Sequence, residues 1–392
     1  MSTGNSKLSR RNRRRKIGLG LLATTALLAF GAWLDARVPM GARPEGERLT
    51  RIQASPQWNG ERFVDTLPRV DPPAWETTKR WFAGVDDSVP DETPPVMRRS
   101  GEDFAAVHPG LRLTWLGHST VLVEIDGRRI LVDPVWGERC SPLSFAGPAR
   151  FYPPPLPLDE LPPIDAVVIS HDHYDHLDHP TIVTLAARGT LFVVPLGVGA
   201  HLERWEVPAA HIRELDWWEE TTVDNLRLVA TPARHFSGRG PGQADQTLWA
   251  GWALIGPEHK LFYSGDTAMF PGFTEIGTRL GPFDATLIEV GAYDQAWADV
   301  HLGPEQAVQA HRMVRGEVLL PVHWGLFDLA LHGWTEPIER TLVAGEQAGI
   351  TVLTPQPGQS MVIGEAAHGE HWWPQVPWKT AAEAPVVSSH LP

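Results

Sequence analysis

The chain reads as an α/β protein built as a four-layer αββα sandwich, and three observations predict it. Short apolar strands alternate with helical stretches through its middle, one plan of elements occurs twice, and every cluster of His and Asp falls where a strand ends. A sheet covered by helices on one face must bury the other face as well. Two such halves meeting sheet on sheet give the four layers.

In the first half Leu111–Leu116, Val121–Ile125 and Arg129–Val132 are predicted strands, and Asp126-Gly127 is the strongest hairpin signal in the chain. The unit ends in Asp133-Pro134. A loop follows, then a buried strand Ala166–Ser170 and a helix from Pro180 to Arg188. The plan recurs as Leu248–Ile255, a Gly256-Pro257 turn and Lys260–Ser264, ending in Gly265-Asp266-Thr267. After a further loop come a buried strand Ala285–Glu289 and a helix Pro304–Val314. In α/β proteins ligands gather where loops leave the carboxyl ends of strands.

The chain divides into four parts. Residues 1–35 hold seven bases, from Lys7 to Lys16, followed by an uncharged run Ile17–Leu34. That run is close to the membrane-spanning threshold and reads as a signal-anchor or a signal peptide. Either would export the body, to the periplasm if the cell is Gram-negative, with the basic end in the cytoplasm. Residues 36–108 are rich in Pro and charge and read as an arm wrapping the body, with one helical piece at Trp75–Phe82. Residues 109–365 carry the repeated plan and read as the folded body, and 366–392 read as an irregular tail whose last ten residues are disordered.

Composition narrows the chemistry. Apolar residues make up 42% of the 392, enough for a large core, and the 17 Trp read mainly as packing residues. Cys140 is the only cysteine, so there is neither an internal disulfide nor a thiolate zinc site, and any metal must sit among nitrogen and oxygen ligands. The net charge is −13. Without the seven N-terminal bases, 27 bases face 47 acids. A body that acidic is a poor binder of nucleic acid, which counts against a nuclease.

Four good ligands occupy six residues in His171-x-His173-x-Asp175-His176, directly after a buried strand. Imidazole nitrogen and carboxylate oxygen suit borderline and harder divalent metals. A tight loop can aim His171 and His173 at one ion and Asp175 and His176 at a second, whereas a helix would spread them over different faces. His235, Asp266 and His323 stand at later strand ends and complete a set of five His and two Asp. Two ions about 3.5–4 Å apart polarise a scissile group and lower the pKa of a shared water, giving hydroxide near neutral pH. Asp133 reads equally as a carboxylate orienting a ligand imidazole or as a plain turn residue before Pro134.

The order HxHxDH, distant His, Gly-Asp and final His resembles the metallo-β-lactamase superfamily. Within it the chain resembles the N-acyl-phosphatidylethanolamine-hydrolysing phospholipase D family through Leu116-Gly117-His118-Ser119-Thr120, Ser170–Asp178, Asp299–Ala307 and Val322-His323-Trp324-Gly325. The likeness runs from Gln57 to Glu365 and includes the arm motif Trp58–Phe63. Ascorbate-6-phosphate lactonase-like proteins share much of it.

The resemblance implies two Zn2+, or other divalent transition metals: one held by His171, His173 and His235, the other by Asp175, His176 and His323, with Asp266 bridging. It implies that His301 faces the substrate; the residues alone allow it equally to cap the helix at Pro304. His118 reads as a structural neighbour of the site. The implied activity is that of a phospholipase D-type phosphodiesterase on N-acylated ethanolamine phospholipids, anchored beside the membrane. The acidic body suits an alternative, a hydrolase of a small exported lactone or phosphoester, and a binding module without activity is the third reading. Leu143–Phe151 and Trp217-Trp218 are candidates for an apolar lipid-facing surface. Oligomeric state does not follow from the residues.

Overall fold

The computed structural model describes residues 24–70, 74–365 and 369–391. Strands β1 (Leu111–Gly117), β2 (Thr120–Ile125) and β3 (Arg128–Val132) form an antiparallel meander. It continues in parallel through β4 (Ala166–Val168), β5 (Leu191–Pro195) and β6 (Ile212–Leu215). The second sheet opens with another meander, β7 (Glu220–Val223), β8 (Leu226–Thr231), β9 (Gly251–Ile255) and β10 (Lys260–Tyr263). It then runs parallel through β11 (Phe283–Glu289), β12 (Gly316–Val322) and β13 (Thr351–Val352). The last strand, β14 (Ser360–Val362), returns to pair with β1, so each sheet has seven strands.

Alternation along the strands makes the layers. On β2, Val121, Val123 and Ile125 point into the core between the sheets, while Leu122 points outward to Leu131, Val167, Ile182 and Leu185. The latter two belong to the helix His179–Ala186, which covers the outer face of the first sheet. Side chains two apart share a face of a strand, so one run of apolar residues supplies both layers. The helices Gly272–Arg279, Pro304–Val314 and Glu336–Ala348 accompany the second sheet. The predicted αββα sandwich is present.

Some boundaries differ for a physical reason. The strand expected from Leu248 begins at Gly251, because Leu248 and Ala250 donate across to Leu196 O (2.8 Å) and Ser170 O (2.9 Å) of the other half instead of joining their own ladder. Those bonds stitch the two halves together beside the site.

The arm lies on both halves. Its helix Gly46–Gln53 buries Ile52 in the inter-sheet core. Arg48 pairs with Glu214, and Phe63 N donates to Asp245 O at 2.9 Å. The helical piece is Ala74–Ala83. Trp217 is buried with its indole N–H on Trp249 O at 2.7 Å, which corrects the idea that Trp217-Trp218 offers a lipid-facing surface. In Leu143–Phe151 only Phe145 is a strongly exposed large apolar side chain.

The N-terminal run lies partly outside the described residues. Its remainder falls in a helix over 24–36, and among the described residues no helix is long and apolar enough to cross a membrane. The described tail is irregular, as expected, but its end is not loose. Trp372 and Trp373 pack on Trp324, and residues up to 391 are placed against the body, with Ser388 and Ser389 hydrogen-bonded to the loop before the helix Pro304–Val314. A tail that buries indoles and pairs its hydroxyls has contacts to offset its ordering entropy.

Candidate metal centre

The hexapeptide follows β4, and its turn is closed locally. His176 N and Leu177 N both donate to His173 O, at 3.1 and 2.8 Å. This turn aims His171 Nε2 and His173 Nδ1 at one point, 2.8 Å apart. His235, beyond the end of β8, brings Nε2 to 3.3 Å from the same His173 nitrogen. Asp266 Oδ2 lies 3.7 Å from His171 Nε2 and 3.8 Å from His235 Nε2. The same oxygen is 3.1 Å from His176 Nε2 and 3.0 Å from His323 Nε2. Asp175 Oδ2 stands 3.3 and 3.2 Å from those two imidazoles. All seven residues of the expected set therefore meet, as two groups with Asp266 in reach of both. Gly265 precedes it in a left-handed conformation (φ 59°), where a Cβ would come within 2.8 Å of Ala250 O and 2.9 Å of Ser170 Cβ.

The rings are oriented from behind. His171 Nδ1 is 2.9 Å from Ser170 Oγ, His176 Nδ1 2.6 Å from Asp133 Oδ2, and His235 Nδ1 2.7 Å from Val300 O. Such partners set which nitrogen faces inward. Asp133 is thus more than a turn residue: it also takes Ser170 N (2.7 Å) and the Tyr263 hydroxyl. Burial alone would raise the Asp266 carboxyl, but His176 and His323 beside it hold it well below the usual carboxylate range. Against the same burial, Asp266 and Asp175 lift His323 to about 10 and His176 well above its ordinary value. Burial and neighbouring imidazoles push His171 down, and burial pushes His235 down.

Two buried atoms argue that this centre suits a cation. His176 Nε2 and Asp266 Oδ1 have no hydrogen-bond partner, although buried polar groups are normally satisfied. The donor set of imidazoles and carboxylates fits divalent transition metals, and among the described residues three groupings could hold an ion: His171, His173, His235 and Asp266; His118, Asp175, His176 and His323; and Asp266, Glu289, His301 and His323.

His118 thus stands closer to the centre than its sequence context suggests. A bulge after Trp115 and positive φ at Gly117 and His118 turn its ring inward, with Nε2 3.0 Å from Asp175 Oδ2. Burial, with His323 adding to it, depresses its pKa to about 3. The sequence reading missed Glu289, the last residue of β11. It takes His301 Nδ1 at 2.7 Å, Thr267 N at 2.7 Å and Leu302 N at 3.1 Å. An acid at the buried end of a mostly apolar strand was the available signal. The helix-cap reading of His301 falls, since Gln306 Oε1 takes Gly303 N at 3.0 Å.

His301 instead lines a cleft of about 370 Å³ walled by Trp81, Phe236, Trp297, Val300 and Leu329, with Arg69 also on its wall. Its ring is 5.0 Å from that of His235 and 5.3 Å from that of His323, so the cleft abuts both metal-capable groups. A larger hollow of about 630 Å³ lies between arm and tail at Arg80, Asp86 and Trp378, and includes no residue of the centre.

A family model described as the beta-lactamase superfamily domain matches residues 128–324. An uncharacterized protein of Mycobacterium tuberculosis is 44% identical over 91% of this chain and 98% of its own length. N-acyl-phosphatidylethanolamine-hydrolyzing phospholipase D 1 of Caenorhabditis elegans is 39% identical over 62% of this chain and 72% of its own. Among solved structures, isothiocyanate hydrolase from Delia radicum gut bacteria superposes with a TM-score of 0.52 at 21% identity, covering 64% of this chain and 98% of that one, a likeness of fold. With its sandwich, its metal-capable centre and these relatives, the chain belongs to the metallo-β-lactamase superfamily and is a metal-dependent hydrolase of that fold.

Proposed function

We propose that the chain is a binuclear zinc phosphodiesterase of phospholipase D type, acting on N-acylated ethanolamine phospholipids. The observation that carries this reading is the cleft. It is predominantly apolar and it ends at His301 beside the centre. Ligand sites are commonly apolar clefts with a few placed polar groups. The likeness to the Caenorhabditis elegans phospholipase D supports the same substrate class.

His171, His173, His235 and Asp266 would hold one ion, and Asp175, His176, His323 and Asp266 the other. The ions would supply Lewis acidity and a water activated for attack on phosphorus. The chain's own residues do the rest. Ser170, Asp133 and Val300 O keep ligand nitrogens turned inward. Glu289 holds His301 by Nδ1, which leaves Nε2 to take the proton that the attacking water loses and pass it to the departing ethanolamide oxygen. Phe236 and Trp297 exclude water from the apolar end. The exported, membrane-tethered location motivated by the N-terminal bases and apolar run belongs to the same proposal.

The test is direct. Protein loaded with zinc is mixed with N-acylated phosphatidylethanolamine in detergent micelles, and phosphatidic acid release is followed. No release, with turnover of a small lactone or phosphoester instead, would sink this reading in favour of the small-substrate hydrolase that the acidic body suits.

A further inference from the structure

We propose that Asp299, held by Ser389 of the tail, is a positioning residue that sets His301 in the site, and that the C-terminal segment thereby acts as a latch on the reaction. The inference rests on the reading of His301 as a substrate-facing group.

The connection 290–303 between β11 and the helix Pro304–Val314 carries His301 but contains only one short 3-10 turn, Gln295–Trp297. It is anchored from outside. Ser389 N donates to Asp299 Oδ1 at 2.7 Å, and the Ser389 hydroxyl donates to Oδ2. Val70 N, from the arm, donates to Oδ2 at 2.9 Å. Arg234, next to His235, reaches Oδ1 at 3.0 Å with both side chains buried. Arg234 also donates to Pro68 O of the arm and Ser389 O of the tail, at 2.7 and 3.2 Å. One residue earlier in the tail, Ser388 Oγ donates to Ala298 O at 2.7 Å and accepts from Gln306 Nε2 at 3.1 Å. Arm, tail and the His235 strand end therefore meet on one carboxylate two residues before His301. The intervening Val300 presents its carbonyl to His235 Nδ1. Small displacements of a reacting group are costly to rate, so a connection with so little structure of its own needs this hold.

Asp299→Ala would strand the buried Arg234 charge and risks unfolding the chain, so the test uses the tail. In the full-length chain Ser388→Ala and Ser389→Ala are combined, and Ser388→Thr with Ser389→Thr serves as the conservative control. Amide exchange at 298–303 should accelerate at least about tenfold in the alanine variant. Turnover (kcat) of bis(4-nitrophenyl) phosphate should drop about tenfold with bound zinc unchanged, and the threonine variant should recover most of it. Unaltered exchange at 298–303, a kcat within twofold of the parent, or zinc lost in step with kcat would each overturn the latch. A parent protein that hydrolyses no phosphodiester would instead overturn the proposed function, and the exchange measurement then decides the latch by itself.

Discussion

The two halves of the sandwich supply the same centre by different means. The first half delivers His171, His173, Asp175 and His176 from one turn after β4, where His173 O closes the loop on His176 and Leu177. The second half delivers His235, Asp266, His301 and His323 from four separate places: the ends of β8, β10 and β12 and the connection after β11. A turn carries its own geometry. Separate strand ends depend on register, here the parallel pairing Leu261↔Ala285 and Leu287↔Leu320. The halves are locked at the centre by Ala250 N on Ser170 O and His323 N on His118 O. The first half is thus a compact ligand cassette, and the second half is a frame that completes it.

The sharpest way to break that contrast is at Asp266, the one carboxylate within reach of both groups. Asp266→Ala should remove both ions and lower turnover on the order of 10³-fold, read by metal analysis beside kinetics. Retention of two ions would deny it the shared place. His173→Ala and His323→Ala should each lose a single ion, the first from the cassette side and the second from the frame.

Next comes Asp133→Asn, which touches only a partner of His176. It should weaken metal affinity about 10- to 100-fold, measured by competition with a chelator. Unchanged affinity would return Asp133 to a turn residue.

Removing the metal with a chelator sharpens the electrostatic side. Without an ion His323, at about 10, and His176 hold protons near neutral pH. Metal must displace them, so metal binding should release protons and strengthen as pH rises. Titration calorimetry in buffers of different ionisation heat checks this, and binding without proton release would contradict it.

The last effect leaves activity untouched and lies away from the centre, on the helix behind β11. His311 is buried against the Thr286 hydroxyl (2.8 Å), and burial lowers its pKa to about 4. Its folded pKa lies below the unfolded 6.5, so its contribution is whole above 6.5 and is lost as pH falls through about 4. That contribution is up to about 3 kcal/mol. Urea unfolding from pH 7 to 4 should show the loss, and His311→Gln should flatten it.

Local chemistry was readable in the residues. The Asp126-Gly127 hairpin, the alternation on β2 and the ligand hexapeptide each depend on neighbours a few residues apart, and each stands where expected. Start and stop points were less readable where a backbone group bonds across the sandwich, as at Leu248. Trp217, one of two adjacent tryptophans, looked like a surface pair and is core, because nothing local says that Trp249 O waits for its N–H.

By itself the sequence determined the layered plan, the seven converging metal-capable residues and the chemistry they suit, because periodicity and residue type are properties of short stretches. Only the tertiary structure decided that His118 reaches Asp175, that Glu289 orients His301, that an apolar cleft opens beside the centre and that the tail holds Asp299. Most of these contacts join residues far apart in the chain, and no local pattern encodes a partner that only the packing of two sheets, an arm and a tail brings within 3 Å.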